Sequence, residues 1–572
     1  MKKKYILLLI LPFVSYLLFA ADIPQHISYT KIYDYIDELA NEGYFEINSA
    51  IKPYSREFIT KKLLEAKEKE KFMNRRQRQE LYFYLNDYAL EQNKLPDTKV
   101  PFVKNNNMSL ALVQPAFHYR DSIFKCRITP ILGAEFYYNK NDFISNRTIG
   151  IEFQGTIGKG LTFWGSLRDK AFRGELLSEP TYLTQLPGYE YKESEKEGAD
   201  YSDSRGGIKY GWNWGSFGLV KDQVIWGDNY NGSNILSGRN PSIPMITLQL
   251  KPVKWFQLDY FHGWLVSNVV DSTNYYIEDE KKHYRNSNKY MAANMFTITP
   301  VKKLNVSFGN SIIYAERNVH AAYFIPIAFY KSLDHSLTKG IGTENQNSQM
   351  FLNISSRNIR QLHLYTSIFI DEFKFGRLKP SNKQANPISF KIGGRLSNCI
   401  VRNLSVTAEY THTNIINYKH SVPALSYASN SFNMGHYLGD NAEEIYVAVG
   451  YKPIRGLDVS LSYVNAKHGN EYRYLRRDEN NVVQISNIIS QGFMKDVVWT
   501  NSTVALKALY EVFNNAYAGI TLQYSNIKGK DPKSTAIKGE DRYDAQGYLD
   551  LYTPKFYQGE TFTLNMMLSI GF

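Results

Sequence analysis

Enzymes betray themselves by residue types at fixed spacings, and this chain carries few such marks. It has no Gly-x-Ser-x-Gly turn, no phosphate-binding P-loop and no His-Glu-x-x-His pair. Its eleven histidines are scattered. His412 and His436 fall in one long loop and could interest a metal ion, but the expected state is two solvated loop histidines. His412, between Thr411 and Thr413, does not form the aligned Ser, His and Asn of a bilayer-facing lipase. Asp371-Glu372 and Glu443-Glu444 are neighbours in sequence, so on a strand each pair splits to opposite faces. Glycoside hydrolysis needs two carboxyl groups facing one gap. Cys126 and Cys399 lack the His, Cys or acidic neighbours of a metal site, and two cysteines make no disulfide scaffold. They are expected to be unpaired. The reading is of no enzyme, no catalytic residue, no metal and no cofactor. What remains are long segments rich in Tyr, Asn, Asp, Ser and Gly, with 44 Tyr against 7 Trp. Flat aromatic faces beside amides and carboxylates suit sugar rings, although ordinary loops share this composition.

The positioning elements begin with the compartment. Lys2, Lys3 and Lys4 precede an apolar run from Tyr5 to Phe19, with Ala20 placed for cleavage before Ala21. Residues 1–20 therefore read as a secretory signal peptide, too short to span a bilayer comfortably. No second apolar segment is long enough for a membrane helix. The most apolar, Ala321 to Tyr330, contains Pro326 and is half the needed length. Mean hydropathy is −0.39, yet aromatic residues make up 15% of the chain. Polar on average but aromatic-rich is the signature of alternating strands with interfacial aromatic girdles. The net charge of +12 suits anionic polysaccharide, lipopolysaccharide phosphates or nucleic acid. No nucleic-acid motif is present and export argues against that partner.

Residues 21–106 read as a small helical region. Ile32, Tyr35, Ile36 and Leu39 fall on one helical face, with Gly43 placed to end that helix. Ser55 is a good N-cap for a second helix, with Glu57 in its first turn. A third is expected from about Asn74 to Glu91. So small a bundle is marginal alone and should lean on something larger, most simply as a structural cap.

From Met108 the period changes to two. Ile149, Ile151 and Phe153 alternate with Thr148, Glu152 and Gln154. Leu404, Val406, Ala408 and Tyr410 alternate with Ser405, Thr407, Glu409 and Thr411. Leu457, Val459, Leu461 and Tyr463 alternate with Asp458, Ser460 and Ser462. Short connections are expected near Lys159, Gly215, Val253, Val301, Asn358, Val401, Ile454 and Asn514. Long ones lie between them, including 169–205, 227–243, 264–290 and 412–443. Eight short turns and nine long loops require eighteen antiparallel strands, even-numbered as in bacterial barrels. The last strand alternates from Phe562 to the terminal Phe572, a pattern resembling the signal read by the outer-membrane barrel assembly machinery. The expectation is an all-β transmembrane barrel over 128–572 with a pre-barrel hairpin at 107–127. Lipid offers no partner to an open sheet edge, so the sheet must close, and Glu152, Glu409 and Asp458 must face the lumen.

The chain also resembles the Wzi-like capsule-assembly outer-membrane proteins, especially those of Bacteroidetes-type bacteria. The resemblance rests on Tyr33 to Ala40 with Gly43-Tyr44, Lys52-Pro53-Tyr54-Ser55-Arg56, Asp121-Ser122-Ile123-Phe124 with Pro130-Ile131-Leu132-Gly133, and Gly150 to Gly155. Trp226-Gly227-Asp228, Leu236-Ser237, Asn240-Pro241-Ser242-Ile243-Pro244 and Gly435 to Gly439 extend it. It implies an eighteen-stranded barrel of the outer membrane, occluded by helices in the periplasm. It also implies a lectin-like, non-enzymatic role in holding capsular polysaccharide or exopolysaccharide at the cell surface. Further partners are outer-membrane lipid, lipopolysaccharide and, during biogenesis, the assembly machinery. A porin or substrate-specific channel is the alternative. The candidate carbohydrate-binding stretch is 226–240, with Trp226 and Tyr230 as stacking platforms, Asp228, Asn229 and Asn240 as hydrogen-bonding groups and Arg239 for acidic sugars. Otherwise Trp226 belongs to the outer aromatic girdle and Pro241 to Pro244 shape a strand entry.

Overall fold

The computed structural model describes residues 22–571, except 99, 112–114, 196–197, 317, 338–345, 379–385, 399–400, 471–474, 478–482, 486–491 and 534–542. The signal peptide, Cys399 and Phe572 of the sequence reading lie outside the described residues.

Alternating sequence closes here into one cylinder. Eighteen antiparallel strands run from Phe124–Tyr138 to Gly559–Ile570, and the last pairs with the first from Leu564↔Tyr138 to Ile570↔Leu132. All eight expected short turns are present, and two fall at sheet irregularities. Register shifts between Leu250 and Val253 and between Ile298 and Val301 admit Pro252 and Pro300, which have no N–H to give a ladder. The faces sort as a membrane barrel requires. Ile149, Ile151, Phe153, Leu461, Val504, Leu506 and Leu568 point outward and are exposed. Arg168, Lys391, Glu409, Asn294 and Asn353 are buried inside. The outward band faces hydrocarbon and removes no polar group from water. Glu152, Glu409 and Asp458 all lie on the lumen side, bonded to Tyr29, Lys391 and Lys31 respectively.

Two segments differ from the sequence reading. Residues 264–290 are not a loop. Phe256–Glu278 and Lys281–Val301 continue as a two-stranded ribbon to Glu278↔Lys281, well past their neighbours. Two register shifts, after Val266 and after Asp271, break the alternation that would have announced it. Pro101–Lys104, within the region read as helical, is a strand on Met108–Ala111, which pairs in turn with Ala116–Arg120, and the last extends the sheet alongside Lys125–Ile128.

Three helices fill the short-turn end: α1 (Thr30–Glu42), α2 (Arg56–Lys67) and α3 (Arg75–Asp87). Their ends are chemically marked. Gly43 closes α1 in the left-handed region at φ 85°. The Ser55 hydroxyl accepts from Phe58 N, and Asn74 with Gln77 forms a capping box on α3. Ile32, Tyr35, Ile36 and Leu39 pack on Ile59, Leu63, Leu81 and Leu85. The opposite side of α1 is equally buried but polar, because it meets the barrel. Asp37 pairs with Arg357 at 2.9 Å, Asp34 with Arg395 at 3.0 Å, and Lys31 with Asp458 at 2.9 Å. Glu38 accepts from Arg76 and pairs with Lys452 at 3.1 Å. The bundle is therefore a plug, riveted to the short turns.

Breaking one rivet by Arg357→Ala leaves Asp37 buried and unpaired, an expected loss of about 3–5 kcal/mol. The check is the temperature at which the detergent-solubilised barrel loses its heat-modifiable gel mobility, compared with wild type. Glu42, half-buried near the end of α1, accepts from Gln77 Nε2 at 2.6 Å. Burial, and then the Glu38 carboxylate, pushes its carboxyl up to about 7 from the usual 4.5. The folded chain thus binds this proton more tightly than the unfolded chain, and stability falls as pH rises from about 4.5 through about 7. Glu42→Gln should raise the thermal midpoint at pH 8 and leave it unchanged at pH 4. Equal midpoints at both pH values contradict the assignment.

Candidate functional site

An eighteen-stranded cylinder is wide, and its inward side chains alone do not fill it. The helical plug occupies one end. From the other, long loops that the sequence presented as surface fold inward. Trp226 is the clearest case. Ile225 and Trp226 pair with Lys52 and Ile51 as a two-stranded sheet inside the lumen. Trp226 is 3% exposed and meets Phe261 and Phe351 edge-on at 5.2 and 5.8 Å. It is neither an outer-girdle residue nor presented to solvent. Ile235, Leu236, Phe369, Tyr418, Tyr427 and Met434 join it in one apolar cluster. That cluster unites the 223–242 loop with the 414–441 loop.

Polar partners fix the loop in place. Asp228, 2% exposed, accepts from Ser49, and Asn353 Nδ2 donates to it at 2.7 Å. Tyr230 N donates to Glu409 at 2.6 Å, its hydroxyl meets His363 Nδ1 at 2.8 Å, and the Arg395 guanidinium lies 3.6 Å from its ring centroid. Glu409 in turn pairs with Lys391 at 3.1 Å, both without exposure. Asn229 Nδ2 donates to Gly227 O. Asn240 donates to Pro241 O, and its own carbonyl accepts from Gln223. Arg239 donates to Leu186 O at 3.0 Å and Tyr182 O at 3.1 Å, tying two loops together. Burial without a paired acid among the described residues pushes its guanidinium down to about 10. The six candidate residues are thus brought into one region, where protein groups hold them.

His436 corrects another expectation. It is fully buried, with Nε2 3.5 Å from Glu444, and is not solvated. Its neighbours Gly435 and Tyr437 belong to the inward-folded loop, and the Tyr437 hydroxyl donates to Glu444. His412 lies on the strand Leu404–Thr413 and stacks on Phe390. Among the described residues no group of three or more His, Cys, Asp or Glu is placed to hold a metal ion. Cys126 is free.

The packing leaves a sizeable space among the described residues. A cavity of about 440 Å³ runs between the wall strands Phe124–Tyr138, Phe143–Ile157, Leu161–Arg173 and Gly198–Trp212, the plug residues His26 and Ser28, and the loop segment Leu186–Glu190. Tyr137, Arg168, Lys170, Phe172, Tyr189 and Tyr201 line it. None of these was singled out from sequence. The available signal was Arg168, Lys170 and Phe172, which alternate onto one strand face and so place two cations and an aromatic ring in the lumen.

The loop's dependence on Trp226 is open to test. Trp226→Ala removes an indole packed on two phenylalanines, an expected cost of about 3–5 kcal/mol to the inward fold of the loop. Limited proteolysis of the purified variant should cleave within 223–242 while the barrel keeps its heat-modifiable mobility. Resistance equal to wild type contradicts this role.

Comparison with known proteins follows the architecture. Residues 169–536 match the family described as Capsule assembly protein Wzi. No curated protein matches the chain. Among solved structures, the Escherichia coli outer-membrane protein Wzi, described as involved in group 1 capsule assembly and as a carbohydrate-binding β-barrel, aligns at a TM-score of 0.55. Identity is 10%, over 97% of this chain and 100% of that one. Pseudomonas aeruginosa OccK8 (OprE) aligns at 0.41 with 10% identity, over 79% and 99% of the two chains. Acinetobacter baumannii OccAB4 aligns at 0.40 with 9% identity, over 79% and 98%. The first likeness is one of fold, and the other two are too distant to bear on the argument.

Proposed function

The chain belongs to the Wzi capsule assembly family, and from that premise we propose that it is a lectin-like outer-membrane barrel. In this reading it binds capsular polysaccharide or exopolysaccharide and helps assemble or retain it at the cell surface. The observation that carries the reading is the filled lumen. Helices close the short-turn end, periplasmic in bacterial barrels, and the 223–242 and 414–441 loops pack against one another above them. A lumen occupied this way favours holding a chain over passing solutes, which sets the reading above a porin. The role is non-enzymatic. The outward apolar band meets lipid, the excess of basic residues suits lipopolysaccharide phosphates, and the alternating final strand suits the assembly machinery.

Purified protein should bind the host's own capsular polysaccharide or exopolysaccharide, and a deletion strain should shed it into the medium. No affinity, together with a capsule that stays attached in the deletion strain, overturns the proposal. In planar bilayers the wild type should pass little ion current. Replacing residues 227–237 by a short Gly-Ser linker should raise it severalfold. A large wild-type conductance favours the channel reading instead.

A further inference from the structure

The cavity along the Leu161–Arg173 strand is more than leftover space, because side chains that line it keep polar atoms without hydrogen-bond partners. Asn146, 4% exposed, donates through Nδ2 to Glu135 at 3.0 Å, while its Oδ1 has no hydrogen-bond partner. Arg168, 5% exposed, reaches Glu152 and Asp203 only at 3.5 and 3.7 Å, and its Nε is unpartnered. The Lys170 ammonium forms no ion pair within 4 Å among the described residues and lies 5.5 and 5.6 Å from the ring centroids of Tyr189 and Tyr201. Those two rings stack at 4.2 Å with 26° between their planes. Buried polar groups are normally hydrogen-bonded, so side chains that line one space while keeping unsatisfied atoms and an unpaired ammonium leave a role for an occupant.

We propose that this cavity is a binding site for a carboxylate-bearing sugar unit, such as a uronic acid within a polysaccharide chain. The proposal deepens the polysaccharide-binding reading and rests on it. Arg168 and Lys170 project to the same side of their strand, about 7 Å apart by strand geometry. One carboxylate between them pairs with the Arg168 guanidinium and with the Lys170 ammonium. A neutral sugar offers weaker acceptors to a half-buried ammonium. Tyr189, half-buried and backed by the buried Tyr201 ring, supplies a flat apolar face for the pyranose ring. Asn146 Oδ1 and Glu135 accept from its hydroxyl groups. The volume, about 440 Å³, lies toward the small end of ligand sites and suits one or two sugar units. Leu186–Glu190 and Asn430 line it and belong to long loops, and the proposed chain enters past them.

The test uses the full-length protein in detergent, titrated calorimetrically with a mannuronate tetrasaccharide and with maltotetraose as the neutral probe of equal length. The acidic tetramer should bind at least tenfold more tightly. Lys170→Gln and Tyr189→Ala should each weaken it tenfold or more, while Lys170→Arg keeps most of the affinity. Tyr189 lies on a loop, so its variant reports on the site even if a wall variant fails to fold. Equal affinity for both tetramers overturns the acidic-sugar assignment. Unchanged binding in both Lys170→Gln and Tyr189→Ala overturns the location, and no binding of either tetramer overturns the site. Host polysaccharide run in parallel separates the two levels. Binding to wild type and Tyr189→Ala alike leaves the capsule reading standing without this cavity, whereas no binding to wild type removes that reading.

Discussion

Width is the constraint on which the rest of this structure depends. Lipid forbids an open sheet edge, so the strands must close. Eighteen strands close around a space that inward side chains do not fill. Everything distinctive about the chain lies in what it puts there. The N-terminal helices enter from one end. Trp226, Tyr427 and Met434, carried on long loops, enter from the other. The result resembles a soluble protein folded inside a membrane protein, with its own apolar clusters and a polar shell turned toward the barrel wall.

Two kinds of interaction hold that filling, and they do different work. Apolar burial around Trp226 and beneath α1 supplies non-directional stabilisation. The charged contacts supply placement. Asp34, Asp37 and Lys31 meet Arg395, Arg357 and Asp458 on or beside three different short turns. Buried ion pairs add little net stability over well-packed apolar residues, but a mismatched one is costly. Three ion pairs on one helix, of which Asp37–Arg357 is the most buried, therefore fix its rotation and depth far more sharply than they raise its stability. Glu409 does the same for the loop, serving Lys391, Tyr365 and the Tyr230 amide at once.

The barrel was legible in the sequence because its signal is local. Period-two alternation and proline-marked turns located all eight short connections and the strand number, and Gly43 and Ser55 announced their caps. The filling was not legible because nothing local distinguishes a loop that folds inward from one that faces water. The 223–242 and 414–441 segments are rich in Asn, Ser, Gly and Tyr, which usually means solvent. Inside a polar lumen the same residues are what burial requires, as His436 and Asn234 illustrate, both fully buried. Trp226 was weighed between a sugar platform and a membrane girdle because a tryptophan's third option, a core inside the barrel, leaves no periodic trace. The ribbon past Trp264 escaped for the opposite reason: its bulges erased a periodicity that the backbone nonetheless follows.

The candidate residues from 226 to 240 therefore illustrate a general difficulty with lumenal sites. Polar and aromatic residues there serve either the plug or a ligand, and composition does not separate the two. Satisfaction does. Asp228, Tyr230 and Arg239 spend hydrogen-bonding capacity on named protein partners, so a ligand would have to compete with the packing that holds the loop. Arg168 and Asn146 lie in equally deep surroundings, with the half-buried Lys170 beside them, and all three have capacity left over. A buried group whose partners are all protein stabilises a fold, while one left wanting across an open space marks where the fold expects company. In a barrel whose lumen is otherwise packed, that distinction moves the search for saccharide chemistry from the distinctive sequence motif to the quieter wall beside it.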